Sequence, residues 1–135
     1  MKKKIFTLTG MVVLTFLLIT GLCYSQEPRF AKETGAGAIN YTLTDAGPLG
    51  WYLKSVRLHL NVAGGAGSLI IRLNSASGSV YDVVLLTRDM TLVKDLVWEP
   101  EEDGGLWLAT GDAIDIVYSN ANSRVYGLEV EWGQR

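Results

Sequence analysis

Short runs in which apolar and polar residues alternate dominate the chain. The segment 55–62, SVRLHLNV, has an apolar side chain at every second position, and Leu69, Ile71 and Leu73 repeat the pattern. A period of two is typical of a strand with one buried and one solvated face. Gly, Asn, Asp and Ser separate these runs, and no stretch has helical periodicity. The chain is therefore predicted to be all-β, a single antiparallel, jelly-roll-like β-sandwich of about seven to nine strands.

Two features predict how these strands are arranged. The Gly-rich link 63–67 is short enough to join the runs on either side of it as a hairpin. The run 80–87, VYDVVLLT, is apolar on both faces, which favours a central strand that is covered on both sides. The other strands are predicted at 38–44, 51–53, 95–99, 106–109, 114–118 and 125–132.

The first residues have the organisation of a secretory signal peptide. A basic start at 2–4 precedes the apolar run 11–18, and small side chains lie three and one residues before Gln26. Cleavage before Gln26 is therefore predicted. One alternative is a retained membrane anchor, although the apolar run is shorter than the ~20 residues that span a bilayer. The other is acylation of Cys23, although the residue before it is a leucine.

Residues 1–25 are thus predicted as the signal peptide, 26–37 as a flexible lead and 38–135 as the sandwich domain. Without the three lysines of the leader, nine basic and fourteen acidic side chains remain, a formal charge of −5. No basic stripe is present to bind nucleic acid. The single cysteine leaves with the leader, so the mature chain has no thiol nucleophile, disulfide or thiolate metal site.

Candidate catalytic residues are few. His59 is the only histidine, and its parity predicts a solvated strand residue without a partner nucleophile or further zinc ligands. Glu129 and Glu131 share a face at ~6.5–7 Å between their Cα atoms, so a small glycoside hydrolase is one hypothesis. The alternative is that they pair across strands with Arg57 and His59. We expect no catalytic residue.

Two candidate binding features stand out. Trp51, Tyr52 and Trp107 form either an exposed platform for sugar rings or the capped ends of the sandwich. The turn-prone acidic loop is either solvated or a calcium site, because calcium takes six to eight oxygen ligands. Its candidate ligands are Glu99, Glu101, Glu102 and Asp103. Four other aromatic residues have inward parity and are predicted to lie in the core, namely Tyr81, Tyr118, Tyr126 and Trp132.

Several segments of the second half give the chain a family resemblance. These are DVVLLTRDM at 82–90, VWEP at 97–100, LATGDAIDIVYSNANSR at 108–124 and YGLEVEW at 126–132. Over about residues 50–132 the chain resembles short β-sandwich proteins encoded among the structural genes of tailed phages. The resemblance implies a virion-associated or surface-display module that binds or assembles. The predicted leader departs from such proteins, which are assembled in the cytoplasm, and fits an exported bacterial protein that shares the fold.

The sequence therefore predicts a non-catalytic, exported module for binding, adhesion or structural assembly, located in the periplasm, at the cell surface or outside the cell. Its predicted partner is a protein or glycan surface, or a second copy joined through an edge strand. The alternative is a glycan-binding protein with an aromatic platform and calcium at the acidic loop. No partner nucleic acid, and no membrane span after leader cleavage, is expected.

Overall fold

The computed structural model describes residues 27–44, 47, 49–101 and 104–134. The predicted signal peptide lies outside these residues. No helix in the described ranges is long and apolar enough to cross a bilayer. The strands are β1 (Arg29–Gly35), β2 (Ile39–Thr44), β3 (Trp51–Leu60), β4 (Ser68–Asn74), β5 (Val83–Asp89), β6 (Asp95–Trp98), β7 (Leu106–Leu108), β8 (Ala113–Tyr118) and β9 (Tyr126–Gln134).

The strands form two antiparallel sheets, which confirms the predicted all-β sandwich. One sheet has the order β1-β9-β3-β6, and its fifth strand, β7, also pairs with β3; the other has the order β2-β8-β4-β5. When β7 is set aside, the pairs β1–β9, β2–β8, β3–β6 and β4–β5 nest along the chain like one long hairpin. This nesting, divided between two sheets, is the connectivity of a jelly roll.

The core lies between the sheets and is built by the alternation that the sequence shows. Val56, Leu58 and Leu60 are buried, whereas Arg57 and His59 between them are exposed. The facing strands contribute further fully buried side chains in the same way, including Ile39, Leu69, Ile71, Ile114 and Ile116. Burial of such side chains contributes about 1.5–3 kcal/mol each, so the alternation determines which face of each strand turns inward.

Three predictions about arrangement are wrong. The link 63–67 does not close a hairpin, because β3 and β4 belong to different sheets. The run 80–87 is not a central strand, because β5 is the last of the described strands in its sheet and leaves Val83 and Val84 more than half exposed. Residues 29–35 of the predicted flexible lead form β1, which pairs with β9 over its whole length.

The aromatic residues predicted to lie in the core divide into two groups. Tyr118 and Tyr126 are buried, and Trp132 packs against the core. Tyr81 is 61% exposed, because it lies in a 3-10 turn (Ser79–Tyr81) before β5 rather than in a strand. Period-two parity therefore has no meaning at that position.

Candidate functional site

The three aromatic residues of the predicted platform do not lie together on one face. Trp51 and Tyr52 are consecutive residues of β3 and therefore point to opposite faces of the sheet. Trp51 is fully buried and makes an edge-on contact with Trp132, with 6.1 Å between ring centroids. Trp51 thus cannot contact a ligand on the surface, and the platform prediction is wrong for this residue.

Tyr52 and Trp107 form a pair on the outer face of the five-stranded sheet. They are opposite each other in the β3–β7 register, with 5.3 Å between ring centroids and planes inclined by 56°. Tyr52 is 2% exposed, whereas Trp107 is 49% exposed. Tyr52 is therefore the base on which the more exposed indole of Trp107 rests.

A glycine allows Tyr52 to lie flat against the sheet. Gly133 of β9 is opposite Tyr52 on the other side of β3, and a β-carbon at that position would overlap the Tyr52 ring and hydroxyl. On β3 itself, Lys54 Nζ lies 5.6 Å from the Tyr52 ring centroid, a distance typical of a cation–π contact. Tyr52 is thus held by neighbours on three strands.

An open cleft lies beside this aromatic pair. Both β6 and β7 pair with the same edge of β3, but β6 ends at Trp98 and β7 begins at Leu106. The register of β3 against β9 shifts between Leu53 and Ser55, at the same level. The resulting cleft has a volume of about 250 Å³. Its lining residues are Lys54, Ser55, Glu99, Pro100, Gly104, Gly105 and Glu131.

One wall of the cleft requires glycine. Gly105 has a φ of +101°, and a β-carbon there would collide with the carbonyl oxygen of Leu53. Both the backbone conformation and the close approach to β3 exclude larger residues. Gly105, directly before β7, therefore lies tightly against β3 where the cleft ends.

Hydrogen-bond donors and acceptors converge on the floor of the cleft. Glu131 accepts a hydrogen bond from Ser55 Oγ at 3.3 Å. Its carboxylate is also 3.6 Å from Arg57 Nη2 and 3.9 Å from Lys54 Nζ. Ser55 is 2% exposed and the Glu131 side chain 18% exposed. The floor thus presents a carboxylate, a hydroxyl and an ammonium group within one small volume.

Glu129 lies between two cations on the same outer face. Its Oε2 is 2.7 Å from Lys32 Nζ on β1, and its Oε1 is 3.2 Å from Arg57 Nη1 on β3. The hydrogen bond from Lys32, together with both positive charges, lowers the pKa of Glu129 despite slight desolvation. The alternative of cross-strand pairing with Arg57 is thus confirmed, whereas His59 pairs with Asp95 of β6 instead. A carboxyl group with a lowered pKa does not suit the general acid of glycoside hydrolysis.

The predicted calcium ligands are only partly within the described structure. Glu99 and Glu101 are exposed, and Glu99 lines the cleft. Glu102 and Asp103 lie outside the described residues. Across the described ranges, no group of three or more His, Cys, Asp or Glu side chains is placed to hold a metal ion. Calcium at this loop stays a prediction.

A polar cluster on the outer face of the four-stranded sheet did not emerge from the sequence analysis. Asp115 of β8 is 7% exposed and accepts hydrogen bonds from Thr42 Oγ1 at 2.7 Å and from Arg72 Nε and Nη2 at 3.1 and 3.0 Å. Burial raises the pKa of Asp115, but these hydrogen bonds and the Arg72 charge outweigh burial, so the pKa is lowered. The one sign of this cluster in the sequence is an acidic residue, Asp115, between Ile114 and Ile116.

Sequence analysis also missed Lys54 and Ser55 as site residues. The only signal was a break in alternation between the segment 51–53 and Val56, which reflects the bulge in β3. No protein-family model and no curated protein matches the chain. The resemblance to phage structural-gene proteins therefore stays a prediction.

Proposed function

We propose that this chain is a non-catalytic, exported module that binds carbohydrate on the outer face of its five-stranded sheet. The observation that carries the proposal is the Tyr52–Trp107 pair beside an open polar cleft. A buried tyrosine supports an indole that is half exposed. Large rigid side chains of this kind supply contact area at low entropic cost.

The chemistry of a sugar matches these two neighbouring features. A pyranose ring has an apolar face of C–H groups and a rim of hydroxyl groups. An aromatic ring stacks on the apolar face, while the hydroxyl groups need a few convergent donors and acceptors. Trp107 supplies the first kind of contact, and Lys54, Ser55 and Glu131 supply the second.

The contacts of the Glu129 and Glu131 carboxylates favour binding over hydrolysis. Hydrolysis requires one carboxyl group whose pKa is raised so that it can donate a proton. Glu129 is paired with Lys32 and Arg57, and its pKa is lowered. Glu131 is also surrounded by donors. Both carboxylates therefore act as hydrogen-bond acceptors in the structure.

Replacement of Trp107 tests the proposal. We expect the wild-type chain to bind a subset of a glycan array and Trp107→Ala to lose about tenfold or more in affinity by calorimetry, because truncation of a tryptophan that anchors a ligand costs about 2 kcal/mol or more. The matched control is Tyr81→Ala, since Tyr81 is also an exposed aromatic residue but lies in the turn before β5. Equal affinity of Trp107→Ala and wild type would contradict the proposal.

A further inference from the structure

The cleft lies one two-residue step from the aromatic pair. Trp107 and Gly133 lie opposite Tyr52 on either side of β3, and Glu131, which lines the cleft, precedes Gly133 by two residues on β9, the strand that has no extra residue at the bulge. Two residues of a strand span ~6.5–7 Å. A ligand that stacks on Trp107 and continues along β3 therefore reaches the cleft with its next unit.

Charges of both signs line the cleft. Glu99 and Glu131 line it together with Lys54, and Arg57 Nη2 lies 3.6 Å from Glu131. The lining thus holds two carboxylates and one ammonium group, and the nearby Arg57 is shared between Glu131 and Glu129. A strongly charged ligand group would meet repulsion from one sign of charge as well as attraction from the other. A neutral group that both donates and accepts hydrogen bonds avoids this conflict.

The size of the cleft limits what it can hold. Its volume of about 250 Å³ is below the ~300–1,000 Å³ of pockets that enclose drug-sized ligands. The cleft therefore has room for one ring rather than for a whole oligosaccharide. The buried Ser55 and the largely buried Glu131 form its floor, so the polar edge of that ring must turn inward.

We infer that the cleft holds one neutral hexose unit of the ligand through a pair of vicinal hydroxyl groups, while Trp107 stacks on the adjoining unit. This inference rests on the proposed carbohydrate binding. The hydroxyl groups donate to the Glu131 and Glu99 carboxylates and accept from Lys54. The cleft thereby selects neutral over acidic or amino sugars, and Trp107 contributes affinity with less selectivity.

Calorimetric titration with three sets of trisaccharides tests the inference. The probes are neutral hexose trisaccharides, their counterparts oxidised to uronic acids at C6, and their 2-amino counterparts. We expect neutral probes to bind wild type at least tenfold more tightly than either charged set. Tighter binding of a charged set that weakens with added salt would overturn the selectivity.

Two cleft variants separate this inference from the proposed function. Lys54→Met keeps the alkyl stem beside Tyr52 but removes the donor, and Glu99→Gln removes an exposed charge. Each should weaken neutral probes by about tenfold, because hydrogen bonds to charged groups are the stronger ones. The control is Lys94→Met, at the opposite end of β3, where its carbonyl accepts from Leu60 N. If both cleft variants kept full affinity while Trp107→Ala lost it, the role of the cleft would be overturned but carbohydrate binding would stand. If wild type bound none of the probes, both proposals would be overturned.

Discussion

At the scale of single residues, the outer face of the five-stranded sheet depends on a glycine, Gly133, that leaves room for the Tyr52 ring. Tyr52 is buried although it points away from the core, because the backbone of Gly133 lies directly against its ring. Trp107 then packs on Tyr52 from the other side of β3. The position of the Trp107 indole thus depends on Gly133, although their strands, β7 and β9, lie on opposite edges of β3.

Gly133→Ala should destabilise the fold by about 1–3 kcal/mol, because overpacking of a close contact displaces the neighbouring ring. Urea unfolding measures this change, and tryptophan fluorescence should report the movement of Trp107. Gly127→Ala is a matched control on the same strand, since a β-carbon there meets nothing within 4 Å. We expect its free energy of unfolding to stay within about 1 kcal/mol of wild type. Equal loss in the two variants would contradict this account of Tyr52.

At the scale of strands, one carboxylate joins three members of the four-stranded sheet. Asp115 of β8 accepts from Thr42 on β2 and from Arg72 and Asn74 on β4. Registers place Thr42 and Arg72 directly opposite it on either side. Cross-strand pairs of this kind stabilise a register as well as a sheet, so this outer face has a structural role.

Asp115→Asn should lower the free energy of unfolding by about 1–2 kcal/mol at neutral pH, because hydrogen bonds to a charged acceptor are stronger than those to a neutral one. Asp89→Asn is the control, since Asp89 is exposed and its carboxylate accepts hydrogen bonds from Thr91, two residues along the chain, rather than from a neighbouring strand. A smaller loss is expected there. If the two variants lost the same stability, the cluster would have no special role.

The same variant has a defined pH dependence. The pKa of Asp115 in the folded chain is below its ordinary value of 3.8. Its contribution is therefore fully present above about pH 4 and is lost as the pH falls through the folded-state pKa. The difference in unfolding free energy between wild type and Asp115→Asn should shrink when denaturant titrations are repeated at decreasing pH below 4. A difference that stays constant would contradict the assignment.

At the scale of the whole molecule, the sequence predicts where the strands lie better than it predicts which strands pair. Alternation identified the buried face of β3, because burial follows parity within one strand. It did not reveal that β3 and β4 lie in different sheets, since a short Gly-rich link can close a hairpin or cross between sheets. The cleft could not be predicted either, because it forms where β6 and β7 share one edge of β3. Sequence patterns do not show that these distant segments pair with the same strand.

The strands β1 and β9 also lie far apart in sequence and stabilise each other by pairing. All seven residues of β1 pair with β9, and Tyr126 donates a hydrogen bond to Glu33 Oε1 at 2.7 Å. Gly35 fits against the Tyr126 ring, where a β-carbon would lie 2.9 Å from its hydroxyl. The polar lead predicted for 26–37 has little apolar alternation, so its membership of the sheet follows from this partner strand rather than from its own pattern.

A chain of residues 38–135, which matches the domain predicted from sequence, should therefore be less stable than residues 26–135. Without β1, the edge of β9 is unpaired and open to association with other chains. Urea unfolding and sedimentation at several concentrations measure the two effects.

In the longer chain, burial and the hydrogen bond to Glu33 raise the pKa of Tyr126 to about 12, so its contribution to stability is present below pH 10 and lost as the pH rises through 12.

Spectrophotometric titration of the tyrosines gives the same prediction a local readout. Residues 26–135 should show a phenol that ionises near pH 12, and Tyr126→Phe in that chain should remove this titration. In residues 38–135 the absence of Glu33 and the greater exposure of Tyr126 should move its pKa toward the ordinary value of 10. If the shorter chain kept both its stability and the high phenol pKa, β1 would be dispensable, and the jelly roll would be complete with β9 as its edge.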